Sequence, residues 1–133
     1  MAGENALPIQ ECPDLIAHTI VVPLGTTGGV TVDNQYLFYA ERDTIVDDAR
    51  LICGVADADA TMKLTTAATG AVAAGTDLTS ALAMSTTAGT PAQFTLTTTA
   101  NLIPAGNWIG MELTGTSTGS ECMIQLRLRT RIR

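Results

Sequence analysis

The sequence predicts an all-β fold: an antiparallel β-sandwich or jelly roll over residues 15–133, preceded by an extended N-terminal arm over residues 1–14. Three observations predict it. Seven to nine short segments alternate apolar and polar residues, the period of a strand whose successive side chains point to opposite faces. Clusters of Gly, Pro, Asn and Asp separate these segments at regular spacing, as in sandwiches and barrels. The chain is also rich in Thr, a β-branched residue that suits a pleated surface and disfavours helix. No strand–helix alternation is present, so a parallel sheet is not expected. At 133 residues the chain has the length of one domain.

The elements follow in order. Residues 1–14 (MAGENALPIQECPD) hold two prolines and read as an arm, with Leu7, Ile9 and Cys12 as its apolar residues. Fully stretched, such an arm reaches about 46–50 Å. Leu15–Val22 is the first strand, closed by Pro23, and Gly25–Gly29 is a turn or loop. Val30–Val32 and Tyr36–Tyr39 are short apolar pieces. Ile45–Val55 is a long strand with Ala49, Leu51, Cys53 and Val55 on one face. Ala56–Asp59 turns into a strand over 60–66, where Met62 and Leu64 point inward and Lys63 outward. A loop over 67–75 precedes Asp77–Met84, which reads as a strand or a brief helical turn. Gln93–Thr99 alternates with Phe94 and Leu96 on one side. Leu102–Asn107 reads as a turn, and Trp108–Thr114 as a strand with Ile109, Met111 and Leu113 on one face. A Gly/Thr/Ser loop leads into the last and longest strand, 121–133.

Charge is distributed unevenly. The chain carries 7 basic and 13 acidic residues, a net charge of −6. Four of the basic residues alternate at its end: Arg127, Arg129, Arg131 and Arg133. In a strand these guanidinium groups share one face, while Leu126, Leu128 and Ile132 take the other and join the core. Arginine forks pair well with carboxylates, so the stripe is expected to meet carboxylates of this chain or of a partner. Phosphate neutralisation is the weaker reading. The rest of the chain is acidic, and only 4% of residues are aromatic, too few for stacking platforms.

Other chemistry finds little support. Cys12, Cys53 and Cys122 are odd in number and widely spaced, so neither a disulfide framework nor a zinc motif is visible. Cys53 and Cys122 are expected as buried free thiols. His18 is the single histidine, expected to be a satisfied strand residue and not a metal ligand. Asp43, Asp47, Asp48, Asp57 and Asp59 cluster, yet no calcium-loop pattern follows and turn capping explains them equally well. Ser80, Ser85, Ser117 and Ser120 lie in no nucleophile elbow. Gly25–Gly29 lacks the lysine of a phosphate loop. No enzyme activity, catalytic residue, cofactor or metal is therefore expected. Met1–Ile16 lacks the features of a secretory signal, and no run nears the ~18 apolar residues of a membrane span. Synthesis in a reducing cytoplasm is the expectation.

From about Asp43 onward the chain resembles the small β-sandwich structural proteins of tailed bacteriophages. The likeness rests on Ile45–Val55 followed by Asp57-Ala-Asp-Ala-Thr, on Thr76-Asp-Leu, on Thr90-Pro-Ala-Gln-Phe-Thr-Leu, on Leu102-Ile-Pro-Ala-Gly-Asn-Trp-Ile-Gly and on Leu113-Thr-Gly-Thr. It implies a capsid decoration, or cement, protein. Such a protein binds the outside of the head as a homotrimer and clamps neighbouring major capsid proteins against internal pressure. Leu7, Ile9, Arg127, Arg129, Arg131 and Arg133 are then the expected partner-binding residues, with no nucleic-acid or membrane partner. The resemblance places the protein on the capsid exterior. Two rivals remain: a head-fibre or tail-tip domain that binds a host receptor or glycan, and a cellular carbohydrate-binding module. For the first of these, Trp108, Tyr36 and Tyr39 are the aromatic candidates.

Overall fold

A computed structural model describes residues 15–24, 34–55, 60–84, 88–97, 101–115 and 120–132. The predicted arm with Leu7 and Ile9, the loop at 25–29, Val30–Val32, the turn at 56–59 and Arg133 lie outside these residues.

Among the described residues there are ten strands: β1 (Leu15–Leu24), β2 (Gln35–Tyr39), β3 (Thr44–Val55), β4 (Thr61–Ala67), β5 (Thr76–Asp77), β6 (Leu82–Ala83), β7 (Ala92–Gln93), β8 (Leu102–Ile103), β9 (Trp108–Thr114) and β10 (Ser120–Arg131). They form two antiparallel sheets. Sheet A has the order β1-β10-β3-β7, with β8 also on β3; sheet B has the order β2-β9-β4-β5, with β6 also on β4. The pairing is nested: first strand with last, second with penultimate, third with β7 and β8, fourth with β5 and β6. This is the winding of a jelly roll, two five-stranded sheets face to face.

The inner faces make one core. Sheet A contributes Leu24, Val46, Ala49, Leu51, Cys53, Cys122, Ile124, Leu126 and Leu128; sheet B contributes Met62, Leu64, Ile109 and Met111. Ile103 joins it from β8, and Phe94, Leu78 and Met84 join it from the connections. Ile132 departs from expectation. It lies beyond the end of β10 and is 40% exposed.

Two β-bulges rephase the side chains. In β10 and β3, Arg127 pairs with Asp48 but Leu128 with Val46, so Asp47 is the extra residue. Val46 and Ala49, three apart, both reach the core as a result. In β2 and β9, Tyr36 pairs with Gly110 but Phe38 with Ile109, so Leu37 is the extra residue. An inserted residue breaks the period of two and lets positions three apart share a face.

Three segments differ from the alternation pattern. Of Gln93–Thr99, described only as far as Thr97, Gln93 lies in the two-residue β7 and Leu96 makes an isolated bridge with Thr79. Leu102–Ile103, read as part of a turn, pairs with β3 as β8. Asp77–Met84 divides into the ends of β5 and β6, and a 3-10 turn at Val72–Ala74 precedes it. In each case pairing is confined to two residues of a longer neighbour, which local pattern does not report. Pro23 is accommodated inside β1 because β1 is an edge strand, where a missing donor is tolerated.

The free-thiol expectation is also corrected. Cys53 and Cys122 are buried, as predicted, but form a disulfide. They stand directly opposite each other in the β3–β10 ladder, with Cα atoms 4.0 Å apart. A sequence separation of 69 conceals that register.

Candidate interaction surfaces

The arginine stripe forms as the alternation predicts. Along β10, Cys122, Ile124, Leu126 and Leu128 are buried, and Arg127, Arg129 and Arg131 lie on the outer face of sheet A. The bulge at Asp47 sets a carboxylate beside this stripe. Arg129 Nε donates to Asp47 Oδ2 at 2.8 Å and Nη2 to Oδ1 at 2.9 Å, a bidentate fork. Arg131 Nη1 lies 3.5 Å from Asp43 Oδ2. Next to them, Arg50 Nε donates to Asp48 Oδ2 at 2.8 Å, and Gln93 Nε2 donates to Asp48 Oδ1 at the same distance. Asp48 is only 6% exposed, and those two donors satisfy it.

The stripe is therefore folded largely onto the chain's own carboxylates. Arg127 makes no ion pair among the described residues, and it is exposed. Exposed pairs of this kind contribute roughly 0.2–1 kcal/mol each. They shape a mixed-sign surface more than they stabilise the fold.

The clustered aspartates serve the same end. Asp43 Oδ1 also accepts the Ala105 N–H at 2.9 Å, which anchors the turn before β9. Among the described residues no three His, Cys, Asp or Glu side chains gather into a metal-holding group. His18 is a satisfied strand histidine: its Nε2 lies 2.7 Å from Thr130 Oγ1, itself 3.3 Å from Thr44 Oγ1. No helix among the described residues is long and apolar enough to cross a membrane.

A second surface is the edge strand β1. It pairs with β10 along its whole length, Leu15 opposite Arg131 through Leu24 opposite Cys122. No described strand pairs with its other side. Its ten residues carry no aspartate, glutamate, lysine or arginine, and Ile16 and Val21 are exposed.

A third surface lies on the outer face of sheet B, and sequence reasoning placed its residues only loosely. The Leu37 bulge sets Tyr36 opposite Gly110 and Tyr39 opposite Trp108 on that face. Trp108 is buried, but outside the sandwich core: the segment from Gly70 to Gly75 covers it. A Cβ on Gly75 would come 2.8 Å from Trp108 Cη2, and one on Gly110 would come 2.8 Å from Val72 Cγ2. Both glycines permit this close layer. Thr65 Oγ1 donates to Val72 O at 2.9 Å and ties the layer down. Tyr36 Oη donates to Gly70 O at 2.8 Å, and its ring meets Trp108 edge-on with centroids 5.2 Å apart. Trp108 Nε1 is buried without an acceptor.

Elsewhere on this face, Lys63 Nζ sits 2.9 Å from Asp77 Oδ1 and 3.7 Å from Glu112 Oε2. The Asp77 hydrogen bond is the main reason its ammonium is held above the ordinary 10.5; Glu112 adds to this, and partial burial opposes it. Comparison of the chain with family models, with curated proteins and with solved structures finds no match to any of them.

Proposed function

We propose that this protein is a virion structural protein of the capsid-decoration kind. In this reading it binds the outer surface of a phage capsid as a homotrimer and clamps neighbouring major capsid proteins against internal pressure. One observation carries the reading: β1 is a ten-residue uncharged edge with Ile16 and Val21 exposed. Such an edge accepts another strand, because its backbone donors and acceptors are already aligned for a ladder. Residues 1–14 lead directly into it and hold the apolar Leu7 and Ile9. They are long enough to reach a neighbouring subunit.

The outer face of sheet A supports the same reading. Arg127 and the half-exposed Arg129 and Arg131 border β1 through its register with β10. Acidic and basic groups alternate there, which suits contact with another mixed-sign protein surface. A repeated shell needs only modest affinity per site, because each trimer engages several subunits together.

The test has two parts. Light scattering after size exclusion is expected to give the mass of about three chains, the commonest odd cyclic assembly. Capsids assembled from the major capsid protein are expected to take up the wild-type chain. The Val21→Lys variant should occupy them about tenfold less, the effect of ~1.4 kcal/mol per site. A monomer in solution, together with full capsid occupancy by Val21→Lys, would overturn the reading.

A further inference from the structure

We propose that the groove on the outer face of sheet B is a binding site for a neutral saccharide. This inference rests on the groove alone and stands or falls separately from the capsid reading. The groove is open and about 470 Å³ in volume, within the roughly 300–1,000 Å³ of small-molecule sites. Four of the chain's five aromatic residues line it: Tyr36, Phe38, Tyr39 and Trp108. Phe38 packs partly against the sandwich core, but Tyr36, Tyr39 and Trp108 lie outside it and gather at one place.

The two tyrosine rings are presented to solvent, and that of Tyr36 is held in place. Tyr36 is 56% exposed and Tyr39 60%. Tyr36 is fixed by its hydrogen bond to Gly70 O and by its edge-on contact with Trp108. A platform already ordered spares a ligand the entropy of ordering it. Aromatic faces carry negative quadrupole charge and attract the slightly positive C–H groups on the face of a pyranose ring.

The polar groups select the ligand class. None of the lining residues (the four aromatics, Leu37, Thr69 and Gly70) is charged. A nucleic acid or acidic glycan would find no cation there to match its anions. What the groove offers is hydroxyls, from Tyr36, Tyr39 and Thr69. Those of Tyr39 and Thr69 can donate and accept, and that of Tyr36, already donating to Gly70 O, can accept, which matches sugar hydroxyls that do both. A proline-rich peptide presents carbonyls, which want fixed donors, and matches less well.

The experiment titrates the protein with methyl glucopyranoside, methyl galactopyranoside and short linear neutral oligosaccharides of both sugars. Trp108, the single tryptophan, reports binding by fluorescence. At least one probe is expected to give a saturable change with a Kd on the order of 1 mM, typical of a small contact. Tyr39→Ala should weaken that binding at least about tenfold, and Tyr39→Phe only about threefold, because the ring remains. Tyr39 is exposed, so an unchanged thermal midpoint will show that the variant is folded. No saturable change with any neutral saccharide would overturn the proposal, as would binding that Tyr39→Ala leaves intact. Saturable binding of a proline-rich decapeptide in place of the sugars would overturn it too.

Discussion

Cys53 and Cys122 show how a single residue position takes its meaning from register. Each lies in an alternating apolar series, so burial is readable from the sequence. Their pairing is not, because nothing local says that β3 and β10 are neighbours with these two positions opposed. The bond closes a loop of 69 residues. In the chain-entropy description such a closure stabilises by up to about 4 kcal/mol. With Cys12 replaced by Ser to prevent exchange, adding reductant should shift the denaturation midpoint downward by a corresponding amount. A midpoint that ignores reductant would refute a stabilising role for the bond. The arginines were more legible. Their face, and their pairing with carboxylates, follow from alternation and charge. The identity of the partners does not, since Asp47 reaches Arg129 only through a bulge that no local pattern marks.

Among the elements, β9 and the segment over it are the most constrained. Trp108–Thr114 was readable to the residue, with Ile109 and Met111 inward. The cover on its outer face was not readable, because it depends on two glycines distant in sequence that meet one indole. Gly110→Ala places a methyl 2.8 Å from Val72 Cγ2 and 3.0 Å from Trp108 Cζ3. Either the cover lifts or the sheet shifts, at a cost of about 1–3 kcal/mol, as for overpacking elsewhere. Chemical denaturation read through Trp108 fluorescence checks this, and an unchanged midpoint would show that the layer yields freely. The short strands β5 to β8 were the least legible elements. Each gains its backbone partners from a two-residue stretch of a longer neighbour, and two residues are too few to leave a period.

At the scale of the whole molecule, nesting governs behaviour. The fold class was legible from alternation, turn spacing and Thr content. The strand order was not, because it is set by pairings such as Leu15 with Arg131 across nearly the full chain. Folds dominated by such distant contacts close their loops late, and refold over milliseconds to seconds. Stopped-flow refolding of the oxidised chain should fall in that range; a microsecond phase carrying the full amplitude would contradict the nested ladder. The central place of β10, between β1 and β3, has a further consequence for biosynthesis. At ~5–20 residues per second, roughly 5–20 s separate the emergence of β1 from that of β10. For that interval the nascent chain holds an uncharged apolar strand with no ladder to join. Sheet A can be completed only once β10 has been made, so a chain that stops short of Ser120 leaves β1 without its ladder and β3 with only its short pairings to β7 and β8.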